Sequence, residues 1–453
     1  MRGVQEIAAR IVAGVLDAAD PERAVDRAWP VALESAERVT LVAAGKASVA
    51  MARAAVGRLG DRLNGGVVVG PWAVVDGWAA RPAGLEVFAA DHPIPTTRNV
   101  EAGERVRRAA SACRSDGTLL VLISGGASAY LTLPGEGVTL ADIARVTDAL
   151  LRAGATIREV NAVRKHGELL KGGGLARAAA GAGEVWSLVL SDVLGDPLDA
   201  IGSGPTAADP TTFADALGVL GKYAALDVSP AVRVRLERGA RGEIEETCKP
   251  GDDVVERVRH VIVANNAVAV GSAAGVMRGL GFEVVETRLG VEGEAGEVGR
   301  ALAARVRALR RDASGRASCV VGGGETTVTV GETVGGGGRV QEGVLAAAIE
   351  VEGVAGAGVV GIATDGVDGP TDACGAAIDG GTVGAMREMG VDAAEALRRH
   401  DSNTALAGVG ALIRTGPTGT NVNDVLVGFV APAEERPGSG MLRAERLSPG
   451  GPT

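Results

Sequence analysis

Along most of the chain, short runs of apolar residues alternate with longer stretches whose apolar positions recur every three or four residues. The runs at 39–44, 66–69, 85–89, 119–123, 185–190, 261–264, 318–321 and 359–363 are rich in Val, Leu and Ile and nearly free of charge. Runs that are apolar at every position suit strands buried on both faces. Most of the segments between them keep the helical period, and residues 4–19 read as an amphipathic helix, with Pro21 placed where a first helical turn tolerates it. This order of strand and helix predicts an α/β fold with mostly parallel sheets, whose ligands sit at the C-terminal ends of the strands.

With 453 residues the chain is long enough for two or three domains. The polar stretch 237–259, broken by Gly and Pro, is the best linker. It divides the chain into a Rossmann-like N-terminal α/β domain over 1–250 and a C-terminal α/β domain over 251–430, with the active site in the cleft between them. Residues 431–453, rich in Pro and Gly, read as a disordered tail.

Composition removes several function classes. Aromatic residues make up only 2% of the chain, so Ala, Val and Leu must fill the cores. The net charge of −10 comes from acids spread along the sequence, which leaves no basic face for nucleic acid and no polybasic membrane signal. Apolar runs are short and broken by Gly, and the N-terminus lacks a signal-peptide core, so a soluble cytoplasmic protein is expected. Cys113, Cys248, Cys319 and Cys374 are scattered and the four His never fall four residues apart, which argues against zinc.

The chemistry gathers where the strands end. Gly45-Lys46 follows the first run, Ser124-Gly125-Gly126-Ala127-Ser128 the fourth, and Asp192 the fifth. Gly322-Gly323-Gly324-Glu325 follows the run at 318–321, while Asp365 and Asp368 follow 359–363. Two glycine clusters within 322–338 flank a strand-like stretch, and Arg339 then opens a helix reaching Ile349. Consecutive glycines before a helix N-terminus let backbone N–H groups converge on a phosphate. Two familiar fingerprints fail. Residues 40–47 share only Gly45-Lys46 with a P-loop, since Thr40 and Ala47 stand where Gly and a metal-binding hydroxyl belong. The spacing of Gly356, Gly358 and Gly361 matches a dinucleotide motif but precedes a strand and opens no helix.

Taken together the loops resemble the glycerate 2-kinases of the MOFRL type, the class II glycerate kinases. The resemblance is carried by Ala44-Gly-Lys46-Ala-Ser-Val-Ala-Met51-Ala, Asp91-His-Pro93-Ile-Pro95, Ser124-Gly-Gly-Ala-Ser128, Arg164-Lys-His166 and Lys171-Gly-Gly-Gly-Leu. It continues through Ser191-Asp-Val-Leu-Gly195-Asp, Ser203-Gly-Pro-Thr206, Gly322-Gly-Gly-Glu-Thr326, Asp365-Gly-Val-Asp-Gly-Pro-Thr-Asp372 and Thr415-Gly-Pro-Thr-Gly-Thr-Asn-Val-Asn-Asp424. These span about residue 4 to residue 430. The resemblance implies transfer of the γ-phosphoryl group of ATP to the 2-hydroxyl of D-glycerate, giving 2-phospho-D-glycerate and ADP, with Mg2+ or another divalent cation. Relatives usually have Asn where this chain has Val340, which puts one polar contact at the phosphate loop in doubt.

Phosphoryl transfer asks for positioning and charge neutralisation more than covalent chemistry. Lys46 and Arg339 are the candidate cations, with Arg339 able to hold phosphate through two parallel bonds. Asp192, Asp365 and Asp368 are candidates for metal ligation or for orienting the attacking hydroxyl, with base and ligand unassigned. The 124–128 and 322–326 loops are expected to offer backbone amides. Glu325 is placed to accept from substrate hydroxyls, and Asn421 and Asn423 to close the cleft, while His92 reads as a turn residue. Two other readings stay open: an NAD(P)H-dependent hydroxypyruvate reductase, which needs a nicotinamide site, and a non-catalytic sensor of sugar acids or nucleotides. Either a monomer or a homodimer fits.

Overall fold

The apolar run at 39–44 becomes the centre of a six-stranded sheet. In the computed structural model, which describes residues 2–78, 81–312, 316–331 and 335–431, this sheet is built from β1 (Val39–Ala44), β2 (Leu63–Gly70), β3 (Leu85–Ala89), β4 (Thr118–Ile123), β5 (Glu184–Leu190) and β6 (Val258–Ala264). The order is β3-β2-β1-β4-β5-β6 and every pairing is parallel. From β1 the chain steps outward to β2 and β3, then returns to the other side of β1 for β4. That reversal opens a crevice at the C-terminal ends of β1 and β4. Lys46 and Ser124 are the residues that emerge there.

A second sheet takes the rest of the chain: β7 (Glu283–Val291), β8 (Ser318–Gly324), β9 (Ala357–Ala363), β10 (Gly375–Asp379), β11 (Leu412–Ile413) and β12 (Asp424–Val430). Its order is β11-β10-β9-β12-β8-β7. Only β7 and β8 run parallel; the other pairings are antiparallel, so the expectation of mostly parallel sheets holds for the first sheet and not for the second. The loop from β9 to β10 is too short to hold a crossover helix, and β12 enters between β8 and β9 against both. Four strands were not foreseen. β7 is an exposed edge strand and β10 and β11 are short, whereas β12 reads Val-Leu-Val-Gly-Phe-Val over 425–430 and carries the same apolar signal as the strands that were foreseen. As far as residue 331 the strand-like stretch after Glu325 is a loop, tied to the body by a bridge between Thr327 and Glu294 and by the Thr329 amide, which donates to the Glu294 carboxylate (3.2 Å).

The division placed at residue 250 falls elsewhere in space. β6, beyond that point, completes the first sheet, and the change of sheet comes in the following helix, Asn266–Gly279. The N-terminal helix Arg2–Ala19 also joins the second half: Gln5 Nε2 donates to the Ala377 carbonyl (3.3 Å), and Ser272 Oγ donates to the Gly14 carbonyl (2.7 Å). One apolar core runs through both, with Leu41 and Leu120 of the first sheet in the same cluster as Val321, Val360 and Val427 of the second. The tail from residue 432 lies outside the described residues. Among the described residues no helix is long and apolar enough to cross a membrane.

Helices Ala295–Asp312 and Arg339–Glu350 pack so closely that a Cβ on Gly299 would overlap the Gly343 carbonyl oxygen. Backbone cannot retreat as a side chain can, and overpacking of this kind costs about 1–3 kcal/mol. Gly299→Ala is therefore expected to lower the midpoint of thermal or denaturant unfolding, measured by circular dichroism, while an exposed change such as Gly57→Ala, where a Cβ meets nothing, is not.

Candidate active site

Lys46 is exposed at the end of β1, on a turn locked to the end of β4. Its amide donates to the Gly125 carbonyl (2.9 Å), and the Ala47 amide donates to Ser124 Oγ (3.0 Å). Gly45 adopts φ 127°, and a Cβ there would overlap Ser124. The two loops therefore interlock only because residue 45 has no side chain. Gly125 and Gly126 make a similar allowance outward: side chains there would strike the Asp192 carboxylate and the His92 ring. Among the described residues neither of these two amides reaches an acceptor, so the amide-lined loop expected at 124–128 is present in form. Ser128 faces the other way, its Oγ 2.8 Å from Ser203 Oγ and its carbonyl accepting from Lys171 Nζ (2.7 Å) and Arg164 Nη2 (3.2 Å).

Asp192, at the end of β5, is largely buried. Burial raises its pKa above the usual carboxylate range; its own backbone N–H and Lys46 pull it down, and Glu325 pushes it up. Lys46 also acts on His92, whose pKa burial first, and this cation second, lower. His92 stacks on Tyr130 with ring centroids 5.7 Å apart, which suits the structural role expected for it.

The second sheet presents its own charges to the same place. Arg339 opens helix Arg339–Glu350 and is spanned by two carboxylates. Its Nε and Nη2 donate to the two oxygens of Asp424 (2.7 and 3.2 Å), and Nη1 donates to Glu325 (2.6 Å). Burial alone would lower the guanidinium pKa, but Asp424 and Glu325 more than reverse it and the net direction is up. Asp424, nearly fully buried, is pushed up to about 7 by burial, with Arg339 opposing and Asp368 and Glu325 adding repulsion. Asp424 was not singled out in the sequence, although it closes the motif that contains Asn421 and Asn423.

Asn423 joins the two halves. It sits at φ 62°, and its Nδ2 donates both to the Asp192 carbonyl (2.8 Å) and to Glu325 Oε2 (3.1 Å). Its amide donates to Asn421 Oδ1 (3.1 Å), and its carbonyl accepts from Thr364 Oγ1 (2.7 Å). Asn423 Oδ1 is buried without a hydrogen-bond partner among the described residues.

Other expected residues are placed differently. Gly322, Gly323 and Gly324 belong to β8 and pair with Leu426, Val425 and Asp424, so their amides serve the sheet instead of an anion loop. A side chain at 323 would strike Asn266 and Val270, and one at 324 the Val291 backbone, so close packing explains these glycines. Both oxygens of Asp368 are engaged by the first turn of helix Arg339–Glu350, accepting from the amides of Val340 (3.1 Å) and Gln341 (2.8 Å). The anion expected at that helix N-terminus is thus the protein's own carboxylate. Val340 buries its side chain in the core and offers the cleft no polar group. Asp365 Oδ1 accepts from the Val367 amide (3.1 Å), a local turn, while its carbonyl accepts from the Thr418 amide. Asp365 also borders a cavity of about 380 Å³, together with Arg339, Gly337, Gly338 and Glu342. Among the described residues no three His, Cys, Asp or Glu side chains form a group that could hold a metal ion. Asp192, Asp365 and Asp368 therefore do not make a metal cage.

A doubly wound parallel sheet with a cation and free amides at its switch point, faced by an Arg–carboxylate cluster from a second sheet, defines an α/β protein for small anionic ligands. Residues 7–237 match the model described as Domain of unknown function (DUF4147), and residues 318–424 match the MOFRL family. A glycerate 2-kinase of Pyrococcus horikoshii is 39% identical over 94% of this chain and 97% of its own. A protein of Agrobacterium vitis named as a putative hydroxypyruvate reductase is also 39% identical, over 93% of each chain. The crystal structure of the Thermotoga maritima glycerate kinase superposes with a TM-score of 0.86 at 37% identity, covering 95% of this chain and 100% of that one. The chain belongs to the MOFRL-type glycerate kinase family.

Replacing Asn423 tests the join. Asn423→Ala removes both Nδ2 bonds and puts at positive φ a residue that tolerates it less well than Asn, an expected loss of about 2–3 kcal/mol in denaturant unfolding. Asn423→Gly removes the same bonds without the backbone cost and should recover about 1 kcal/mol of it.

Proposed function

We propose that this protein transfers the γ-phosphoryl group of ATP to the 2-hydroxyl of D-glycerate, in the space between the two sheets. The observation that supports the reading is the convergence on Asn423: the Asp192 carbonyl from the first sheet and Glu325 from the second share its one amide group, and the Asp192 carboxyl feels both Lys46 and Glu325.

In this reading Lys46 and the amides of Gly125 and Gly126 hold the glycerate carboxylate or the moving phosphoryl group, as donors aimed at developing negative charge. Arg339 binds the nucleotide phosphates, exchanging its bond to the half-exposed Glu325 for one to a phosphate oxygen and keeping Asp424 as its anchor. The cavity bordered by Gly337, Gly338 and Asp365 then takes the nucleotide. Asp192 receives the proton of the attacking hydroxyl, and burial raises its basicity toward working pH. A divalent cation would be held mostly through the phosphates, as Mg2+ is where a site supplies one or two carboxylates, with Asp365, which borders the same cavity, as the protein carboxylate that fits. Its chemistry would be charge neutralisation. ATP as the donor and the divalent cation are part of this proposal and rest on the family's chemistry, while a cytoplasmic location rests on the composition of the chain.

The reductase reading has less support. The one spacing that resembles a dinucleotide fingerprint lies at the start of β9, where Gly358 packs against Phe429 and no helix follows.

Lys46→Ala removes an exposed side chain from a turn held by its backbone, so the fold should persist. The expected result is a loss of about two orders of magnitude or more in kcat/KM, followed by ADP release with D-glycerate and MgATP. Near-wild-type turnover would take Lys46 out of the mechanism, and the proposed arrangement with it.

A further inference from the structure

A second cavity, about 440 Å³, has none of Lys46, Asp192, Asn423 or Arg339 in its walls. It lies among the helices Thr97–Ala112, Ile157–Gly167, Gly174–Ala178 and Pro230–Ala240, and its lining is rich in charge. Most of these charges are answered within the protein. Lys165 meets Asp199 and Asp209 (3.2 and 3.3 Å), Lys171 meets Glu168 (3.0 Å), His166 meets Glu246 (2.9 Å) and Arg177 meets Glu245 (3.4 Å).

Arg235 is the exception. It is 8% exposed, yet no carboxylate among the described residues lies within ion-pair distance of it. Its Nε donates to the His166 carbonyl (2.8 Å), while its two Nη groups donate to no acceptor among the described residues. The guanidinium rests on a seat made for it: a Cβ on Gly135 would overlap its atoms, and the Gly135 amide is itself fixed to the Gly167 carbonyl (2.8 Å). Arg107, on the same cavity, is likewise without an acceptor among the described residues. Burial and the neighbouring Arg238 both lower the Arg235 pKa, and Glu136, on the same cavity, opposes them. A guanidinium withdrawn from water without a counter-charge is costly, and a fork of two N–H groups suits a planar or tetrahedral oxyanion.

We infer that this cavity binds a small oxyanion, the carboxylate or phosphoryl group of a metabolite, through the two Nη groups of Arg235 with Arg107 as a second cation. The cavity wall also includes Lys171, whose Nζ holds the Ser128 carbonyl. Any influence on turnover rests on the reading of the 124–128 loop as part of the active site; binding itself does not.

The test uses tungstate as the probe, by anomalous diffraction from crystals of the full chain and by calorimetric titration of wild type, Arg235→Gln and Arg107→Gln. The expected result is an anomalous peak within hydrogen-bond distance of Arg235, and tungstate affinity at that site at least tenfold weaker in Arg235→Gln. Arg107→Gln should weaken it less, and Lys46→Ala should leave it unchanged even if the cleft reading fails. Peaks confined to the cleft, or equal affinity in Arg235→Gln and wild type, would overturn the inference. Should Arg235→Gln not fold, Arg235→Lys keeps the charge without the fork, and undiminished binding in it would count equally against the proposal. Displacement of tungstate by malonate identifies a carboxylate ligand and displacement by phosphate a phosphoryl one; displacement by neither rejects both.

Discussion

One carboxamide ties the two sheets together at the point where their charged residues meet. Asn423 spends its Nδ2 group on a backbone carbonyl from the first sheet and a carboxylate from the second, and it reaches both only from a left-handed backbone conformation. Thr364 and Asn421 hold that conformation from either side. An apolar core also passes through both sheets behind that join. A site built on such a frame can hold reacting groups in position before substrate arrives, which is what phosphoryl transfer most requires.

Around that join the charges form a graded series. Lys46 is exposed and carries no direct carboxylate partner among the described residues, whereas Arg339 is half-buried between Asp424 and Glu325. Asp424 is the deep anchor and Glu325 the more exposed one, so an incoming phosphate would compete with Glu325 first. Asp368 complements the helix that carries Arg339, so Arg339 itself, more than the helix N-terminus, supplies attraction for an anion.

The first sheet was legible in the sequence because its strands are buried on both faces and read as continuous apolar runs. From that, the placement of Lys46, Ser124 and Asp192 at strand ends followed. In the second sheet only β8 and β9 were legible, since β7 is exposed at an edge, β10 and β11 are short, and nothing in the alternation of strand and helix shows β12 entering antiparallel between β8 and β9. Glycine was the most ambiguous signal. At 125 and 126 it makes room for side chains of the site, while at 323 and 324 it makes room for the protein's own helix and strand. Sequence cannot tell these apart, because both need the same missing Cβ. Asp368 misled for a related reason: a carboxylate that caps a helix beginning 29 residues earlier looks, in sequence, like one waiting for a metal. The domain boundary was displaced because composition marks a polar loop, whereas β6 and the N-terminal helix are assigned by pairing and packing across it.

The central claim is that both sheets serve a single transfer to one hydroxyl of glycerate. Phosphorus NMR of the wild-type protein with MgATP and D-glycerate tests it most directly. A growing 2-phosphoglycerate resonance matched by ADP is the predicted result. No phosphorylated glycerate, with NADH consumed instead when hydroxypyruvate is supplied, would contradict it, and 3-phosphoglycerate as product would contradict the assigned hydroxyl.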